Sequence, residues 1–347
     1  MSAPRRVFRL FACCVPVRGA RRSTLCDLQR ERYELIPNGL YDLLHRYTDH
    51  TLEEIRADFP PSAHRTLDEY FAFLVKGEYG FWCDDPDAFP PLDLSWERPE
   101  RVTNALVDVD ERSRHDWPSL LAQLDALGCQ AIQVRFFRPT PLPEVEAVLG
   151  AMAHGRLRSV ELLLPFDPAW EERALEGMCL RHQRVMAITV TAAPETRIDR
   201  MTGLETVIFH RAEAVDSHAH CGAVGPEWFN PSLEGFTEAR SFNSCLNRKV
   251  SVDAAGEIRN CPSLPVSFGN AATTPLADAV ANPAFRALWG VTKDQVETCR
   301  DCEFRYVCTD CRAWVADPSN RYSKPARCTY DPYTARWEPT TALSSPG

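Results

Sequence analysis

Eight cysteines in the second half of the chain have the spacing of a metal-binding framework. They follow the pattern C-x10-G-x4-C, then C-x2-C-x5-C-x2-C after a gap, with one cysteine before and one after. A C-x2-C turn can bring two thiolates onto one metal while backbone N–H groups point at the sulfurs. The eight candidate ligands are Cys221, Cys245, Cys261, Cys299, Cys302, Cys308, Cys311 and Cys328.

A glycine in the stretch DAAGEIRNC supports this framework. Gly256 lies between Cys245 and Cys261. Glycine adopts positive φ at little cost and therefore suits tight hairpin turns. We expect a hairpin here that returns Cys261 toward Cys245.

The spacing alone leaves two kinds of metal open. Cysteine pairs of this type bind either iron–sulfur clusters or structural zinc. In a reducing compartment, clustered cysteines usually indicate metal or redox chemistry rather than disulfides. The remaining cysteines are scattered without ligand spacing, and we expect most of them to be small buried hydrophobic residues. They are Cys13, Cys14, Cys26, Cys83, Cys129 and Cys179.

Other polar residues could contribute chemistry, although each has an ordinary structural interpretation. Basic side chains near the cysteines could offset a negative cluster, but any one of them is more often a solvated charge. Carboxylates in DVDE follow an apolar strand and could act as acid, base or magnesium ligand, although helix capping is the commoner role. The histidines of HAHC are ligand or base candidates in a polar loop. These residues are Arg248, Lys249, Arg305 and Arg312; Asp108, Asp110 and Glu111; His218 and His220.

The elements that must position these residues fall into three segments. Residues 1–98 are predicted to contain two strands, then three helices and then the strand EYGFWC. This order suits a small winged-helix module. Residues 99–215 alternate β-branched apolar runs with helical patterns, as in a degenerate partial (β/α) barrel or an open parallel sheet. Residues 216–336 carry the cysteines, and 337–347 are expected to be a disordered tail.

Three local patterns are specific enough to test. The middle segment contains five strand-like runs, VTNALVDVD, CQAIQVRFF, VELLLPF, MAITVTA and LETVIFH. The helix PEVEAVLGAM should place Val145, Val148, Leu149 and Met152 on one buried face. In the first segment, TLEEIRADF predicts a helix capped by Thr51.

The sequence around the cysteines resembles that of a known protein family. The whole pattern resembles the SPASM domain, the iron–sulfur domain of many radical SAM peptide-modifying enzymes. The stretches NSCLNRKVSVDAAGEIRNCPS, WGVTKDQVETCRDCEFRYVCTDCRAW and FACCVPVRGARRSTLCDL resemble the peptide maturases of grasp-with-spasm systems. The strand and helix pattern together with this resemblance implies an α/β fold class, in which we expect an N-terminal winged-helix-like leader-recognition module and a C-terminal cysteine-rich SPASM domain.

The resemblance implies one or two 4Fe–4S clusters, with structural zinc as the alternative. One cluster would take Cys299, Cys302, Cys308 and Cys328. The other would take Cys245, Cys261 and Cys311, with Cys221 as the upstream ligand. Two features depart from the family: two residues instead of three separate Cys308 from Cys311, and Cys221 lies far upstream of Cys245.

The catalytic motif of radical SAM enzymes is missing from this sequence. Their C-x3-C-x2-C loop follows the first barrel strand, whereas here VTNALVDVD continues into ERSRHDWPSL without a cysteine. Phosphate-loop, nucleotide-fold, esterase and zinc-protease signatures are also missing. SAM-dependent radical chemistry is not supported, and the catalytic residues are unknown.

The resemblance implies a role in the maturation of a ribosomal precursor peptide, with an ATP-grasp ligase as partner. Clusters would serve structure or electron transfer, and the N-terminal module would bind the precursor along a sheet edge. The alternatives are a non-catalytic adaptor for the ligase and a zinc-stabilised peptide-binding protein. A net charge of −9 argues against a nucleic-acid partner, and no apolar run is long enough to span a membrane. We expect a cytoplasmic protein.

Overall fold

The computed structural model describes residues 5–170, 173–201 and 203–338, which form two compact units. The sheet unit consists of Glu97–Gly222 and Cys245–Gly290. The terminal unit consists of the residues up to Trp96, Ala223–Ser244 and the residues from Val291 onward. Each unit combines segments that are distant in the sequence. The division of the chain into the domains 1–98, 99–215 and 216–336 stays a prediction.

The strands are short, and most are rich in β-branched or aromatic residues. In chain order they are β1 (Val7–Leu10), β2 (Cys14–Arg18), β3 (Ser23–Asp27), β4 (Arg32–Ile36), β5 (Gly80–Cys83), β6 (Asn104–Val109), β7 (Ala131–Phe136), β8 (Ser159–Pro165), β9 (Val185–Thr191), β10 (Arg197–Arg200), β11 (Val207–His210), β12 (Lys249–Val252), β13 (Ile258–Arg259), β14 (Tyr330–Asp331) and β15 (Arg336–Trp337).

The helices connect these strands. They are α1 (Asn38–Arg46), α2 (Leu52–Ala57), α3 (Pro61–Lys76), α4 (Trp117–Ala126), α5 (Leu142–Ala151), α6 (Ala174–Arg181), α7 (Leu233–Ser241) and α8 (Leu276–Ala281). Single 3₁₀ turns occur at Pro86–Ala88, His218–His220, Pro226–Trp228 and Cys299–Asp301. Among the described residues, no helix combines the length and apolarity that crossing a bilayer requires.

The N-terminal part of the terminal unit runs from strands to helices to a returning strand as predicted, but four strands rather than two precede the helices. Strands β2, β3 and β4 form an antiparallel sheet, and β5 pairs with β1. Helix α2 begins with the predicted cap: Glu54 N donates to the Thr51 side chain, and Thr51 N donates to the Glu54 carboxylate. Helix α3 starts at Pro61, before the apolar run at Leu67, because proline suits the first helical turn.

The sheet unit contains a large, mostly parallel sheet in the order β10-β11-β9-β8-β7-β6-β12-β13. The five predicted strands are β6, β7, β8, β9 and β11, and they pair in parallel as expected. Strands β10 and β13 pair antiparallel at the two ends, so the sheet is mixed and larger than predicted. Strand β12 pairs in parallel with β6 and was missed because KVSV is short and lies in the cysteine-rich segment.

One face of this sheet is apolar and covered by helices. Val107, Val134 and Leu162 of three neighbouring strands pack with residues of α4, α5, α6 and α8 in one core. The predicted helical face is confirmed, since Val145, Val148, Leu149 and Met152 are all buried there. The opposite face carries polar residues that share one side of the pleat, among them Asp108, Gln133, Arg135, Glu161 and Lys249.

The prediction of a disordered tail from residue 337 is wrong at its start. Trp337 belongs to β15 and pairs with Tyr330 of β14. The Tyr330 and Trp337 rings contact each other at 4.9 Å between centroids, which favours this hairpin. The remainder of that prediction, 339–347, lies outside the described residues.

Candidate metal centre

Four of the predicted ligands, which we call the first cysteine set, lie in the terminal unit: Cys299, Cys302, Cys308 and Cys328. Cys299 and Cys308 are buried, whereas Cys302 and Cys328 are partly exposed. Burial raises the pKa of Cys299 to about 12, with further contributions from Asp310, Cys308 and Cys328 after the opposing effect of Lys293. The structure thus brings these sulfurs into one electrostatic environment.

The first C-x2-C turn has the local geometry expected for a thiolate site. Cys299 opens the 3₁₀ turn Cys299–Asp301, and Cys302 N donates to Cys299 O at 2.9 Å. Phe304 N lies 3.4 Å from Cys302 Sγ and donates a hydrogen bond to it. Burial raises the pKa of Cys302, and this N–H group opposes the increase. Such N–H···S contacts stabilise thiolates at iron and zinc sites.

A buried lysine also contacts this set. Lys293 is 4% exposed, and its Nζ donates to Cys308 Sγ at 2.9 Å and to Thr309 O at 3.0 Å. Burial alone would lower the pKa of Lys293, but Cys308, Asp310 and Cys299 raise it above its ordinary value. Lys293 is therefore a buried cation positioned to offset negative charge on the sulfurs.

We expect Lys293→Met to lower the reduction midpoint potential of a cluster held by the first cysteine set. Reduction adds negative charge, and a unit charge at about 4 Å in protein surroundings contributes roughly 4 kcal/mol. The expected shift is on the order of 100 mV toward negative values. Anaerobic redox titration followed by electron paramagnetic resonance measures it.

Lys76→Met provides the control, since Lys76 is an exposed lysine at the end of α3. It should leave the potential unchanged, and Lys293→Arg should recover most of the wild-type value. A wild-type potential in Lys293→Met would contradict the assignment of Lys293 to the cluster environment.

The second cysteine set comprises Cys221, Cys245, Cys261 and Cys311. The first three belong to the sheet unit, whereas Cys311 is a buried residue of the terminal unit. The predicted hairpin is confirmed: β12 and β13 pair antiparallel, and Gly256 has φ +86° in the turn between them. The membership of Cys311 in this set stays a prediction.

Asn260 fixes the segments that carry two of these cysteines. It is buried directly before Cys261, and its Nδ2 donates to Leu246 O at 2.9 Å and to Lys249 O at 2.8 Å. These bonds tie the residue after Cys245 to the start of β12 and to β13. The loop and hairpin are thereby held in one arrangement.

Lys249 places a cation against a sulfur of the second cysteine set, as Lys293 does in the first cysteine set. Its Nζ donates to Cys245 Sγ at 3.5 Å. Burial would lower the pKa of Lys249, but Cys245, Cys261 and Cys221 raise it. Burial raises the pKa of Cys261 to about 11, and the charges of Cys245 and Cys221 contribute in the same direction. The three cysteines and Lys249 therefore share one environment.

A buried ion pair adjoins the second cysteine set. Arg135 Nε and Nη2 donate to the two carboxylate oxygens of Asp108 at 2.7 and 2.9 Å, and these residues are 6% and 1% exposed. Burial would lower the pKa of Arg135, but Asp108 raises it, and Cys221 and Cys261 also raise it. The guanidinium is hydrogen-bonded to a carboxylate, and the charges of two sulfurs also act on it.

The remaining carboxylate and histidine candidates do not assemble into a catalytic group. Asp110 pairs with Arg112, and Glu111 is exposed in the same turn. His220 pairs with Asp216 on the surface. The proposed magnesium ligands therefore separate into a buried ion pair at Asp108 and a turn-stabilising residue at Asp110.

His218 instead lies beside the second cysteine set. Its Nδ1 is 3.3 Å from Ser263 Oγ, two residues after Cys261. The charge of His218 also acts on Asp108. His218 is thus closer to the candidate ligands than its polar loop suggested.

The basic residues predicted to offset cluster charge have different outcomes. Lys249 contacts a sulfur, as described. Arg305 Nε donates to Asp294, and Arg312 pairs with Asp310 in a buried position. Arg248 donates to backbone carbonyls of Arg98 and Glu100. Two of the arginines therefore balance local carboxylates.

A donor set of cysteine sulfurs with adjacent lysines suits a metal centre that carries net negative charge. Thiolates are soft ligands that bind iron–sulfur clusters and zinc. Burial raises the pKa of Cys261, Cys299, Cys302 and Cys308. A metal must therefore displace the protons of these four thiols, and metal binding is then coupled to folding. The residues present fit either metal.

Comparison with known families decides the class of this segment. Residues 244–303 match the SPASM family, an iron–sulfur cluster-binding domain. The SPASM segment includes Cys245, Cys261, Cys299 and Cys302, so it contains candidate ligands from both cysteine sets. No curated protein matches the chain.

Sequence reasoning missed Lys293, Asn260 and Arg135. Composition offered one signal for the lysines: the chain has 39 lysines and arginines, but only four are lysines. Three of those four, Lys249, Lys293 and Lys324, lie among the cysteines, and two of them contact sulfur. No comparable signal marked Arg135, whose role depends on strand register.

Proposed function

We propose that this protein takes part in the maturation of a ribosomal precursor peptide, together with an ATP-grasp ligase. The observation that carries the proposal is the SPASM segment, because domains of this family bind iron–sulfur clusters. The proposal that a precursor peptide and a ligase are its partners comes from the resemblance of the flanking sequence to grasp-with-spasm maturases.

The proposal assigns one 4Fe–4S cluster to the first cysteine set and a second to the second cysteine set. Lys293 and Lys249 support it, since each places a cation against a sulfur of its own set. When bound, the clusters would brace the fold or relay electrons. The residues of the chain hold the sulfurs in place, limit solvent access and offset charge.

The first cysteine set is packed against the N-terminal strands of its own unit. Cys308, Phe304 and Tyr330 share a core with Val17 and Cys26 of β2 and β3. This continuity supports a structural role for the cluster in the part of the protein that would bind peptide.

Glu303, next to Cys302, fixes the same strands through polar contacts. Arg22 Nε donates to Glu303 Oε1 at 2.7 Å, and Thr24 Oγ1 donates to Glu303 O at 2.8 Å. The turn at Gly19 approaches so closely that a Cβ there would lie 2.8 Å from the Glu303 Cβ. The cysteine run and the β2–β3 hairpin therefore depend on each other for their positions.

The proposed peptide site is the β2 edge of the three-stranded sheet in a winged-helix-like module. Strand β2 lies at one edge of that sheet, where an extended peptide can add a strand. A cavity of about 520 Å³ adjoins it, lined by Cys14, Val15 and Pro16 of β2. Its rim includes Phe11 and Phe89, which are 40% and 48% exposed. Backbone pairing would supply affinity, and the cavity would accept alternate side chains.

The same cavity favours a second candidate function, a non-catalytic adaptor. A protein that binds the precursor and presents it to the ligase needs the β2 edge and the cavity, but no catalytic residues of its own. A cluster would then stabilise the binding module through the first cysteine set.

Coexpression of precursor and ligase with this protein, followed by mass spectrometry, tests the proposal. We expect the modified precursor to accumulate with the wild type and to decrease with Phe89→Ala. Loss of an aromatic anchor commonly costs about 1–2 kcal/mol, or roughly fivefold to thirtyfold in affinity. Binding of the purified precursor to each variant is measured in parallel.

Phe73→Ala is the matched control, since Phe73 is a 39% exposed phenylalanine on α3 that does not line the cavity. A modification that requires this protein without the ligase indicates an enzyme. A ligase product that only forms faster indicates the adaptor. Equal binding by wild type, Phe89→Ala and a variant lacking residues 1–98 would contradict the peptide site.

A further inference from the structure

Three side chains outside both cysteine sets form a separate group of metal-ligand type. The ligand atoms of Cys13, Cys14 and Asp27 all lie within 4.8 Å of one another. Cys14 and Asp27 are direct partners across β2 and β3, and Cys13 comes immediately before β2. Strand register therefore holds the group together, although the sequence suggested only buried small cysteines.

The donor atoms match the preferences of zinc. Zinc binds thiolate at about 2.3 Å and carboxylate at about 2.0–2.2 Å in tetrahedral geometry, so its ligands lie about 3.7 Å apart. A fourth ligand is available, since the side-chain oxygen Gln29 Oε1 is 3.7 Å from Cys13 Sγ. Magnesium and calcium prefer sites built from oxygen ligands alone, so two sulfurs and a carboxylate argue against either of these ions.

The surrounding charges suit a zinc complex. Two thiolates and one carboxylate would give a zinc site one net negative charge. Asp27 is already paired with two arginines: Arg30 Nη1 lies 3.1 Å and Arg32 Nε lies 3.4 Å from Asp27 Oδ2. These guanidinium groups are in the position to offset that charge.

Burial and access also fit a bound ion. Asp27 and Cys14 are 0% and 4% exposed, so their polar atoms are shielded from water. Cys13 is partly exposed and Gln29 is exposed, which leaves a path for an ion from that side.

We propose that Cys13, Cys14 and Asp27 bind a single zinc ion, with Gln29 or water as the fourth ligand. The ion pins the start of β2 to the end of β3. None of its ligands belongs to either cysteine set, and it stabilises the β2 edge whether or not that edge binds a peptide.

Zinc and iron content of the anaerobically purified full-length protein tests the site. We expect about one zinc per chain that survives dialysis against zinc-free buffer, in addition to iron. Cys14→Ala and Asp27→Asn should each lose that zinc and keep the wild-type iron content. Cys83→Ala, which removes a buried cysteine of the same unit, should keep both metals.

Because Cys14 and Asp27 are buried, Cys13→Ser provides a variant that should fold even if the others do not. We expect it to bind zinc at least tenfold more weakly than the wild type in competition with a chromogenic chelator. Added zinc should raise the melting temperature of the wild type but not of Cys13→Ser. Wild-type protein without zinc, or zinc retained by Cys13→Ser, would overturn the proposal. So would a Cys13–Cys14 disulfide in the anaerobic protein.

Discussion

Cys308→Ser should yield a protein that lacks the cluster of the first cysteine set and retains about half of the wild-type iron. Cys308 is buried, accepts a hydrogen bond from Lys293, and packs in the core that includes Val17 and Tyr330. Serine is a poor ligand for iron. Its introduction would also leave the buried ammonium of Lys293 without its sulfur partner. Iron and sulfide analysis with visible absorbance measures the loss.

The same substitution should destabilise the terminal unit. Metal binding at buried thiols contributes folding free energy directly, and about 10 kcal/mol has been typical of small structural metal sites. We therefore expect early unfolding of the terminal unit in urea, while the sheet unit retains its own core. Precursor binding should fall as well, because Glu303 and the shared core connect the cysteine run to β2 and β3.

Cys129→Ala is the control for this prediction, since Cys129 is buried in the sheet-unit core and contacts backbone carbonyls rather than a ligand group. Its iron content should equal that of the wild type. Colourless wild-type protein with zinc in place of iron would exclude the iron–sulfur assignment. Unchanged iron in Cys308→Ser would exclude Cys308 as a ligand.

The parts of the fold that follow from local patterns were predictable from the sequence. Runs such as ALVDV and AITVT alternate with helices, and burial of both strand faces produced the signal for β6 and β9. Gly256 marked the hairpin because its positive φ is a local requirement. Thr51 marked the start of α2 because its hydroxyl can accept a hydrogen bond from a backbone N–H group of the first turn.

The parts that depend on long-range pairing were not predictable in this way. Strand β12 contains only four residues, and its place beside β6 depends on register across more than a hundred residues. The contact of Lys293 with Cys308 depends on how the segment before Cys299 folds back. Cys13, Cys14 and Asp27 become one group only because β2 and β3 pair in that register.

The buried ion pair of Asp108 and Arg135 leads to the second major prediction. Arg135→Met and Asp108→Asn should each lower the unfolding free energy of the sheet unit by about 3–5 kcal/mol, because each leaves an uncompensated buried group. Urea denaturation measures this loss. Arg112→Met is the control: Arg112 is 80% exposed in its pair with Asp110, and its loss should cost less than about 1 kcal/mol.

The double variant Asp108→Leu/Arg135→Met separates the two roles of Arg135. Removing both charges avoids an unpaired buried ion, so most of the lost stability should return. If Arg135 served Asp108 alone, the double variant would also recover wild-type iron content and redox behaviour. We expect it not to, since Cys221 and Cys261 act on the same guanidinium and their negative charge would remain unbalanced. Full recovery of both properties would assign Arg135 to the ion pair only and remove it from the environment of the second cysteine set.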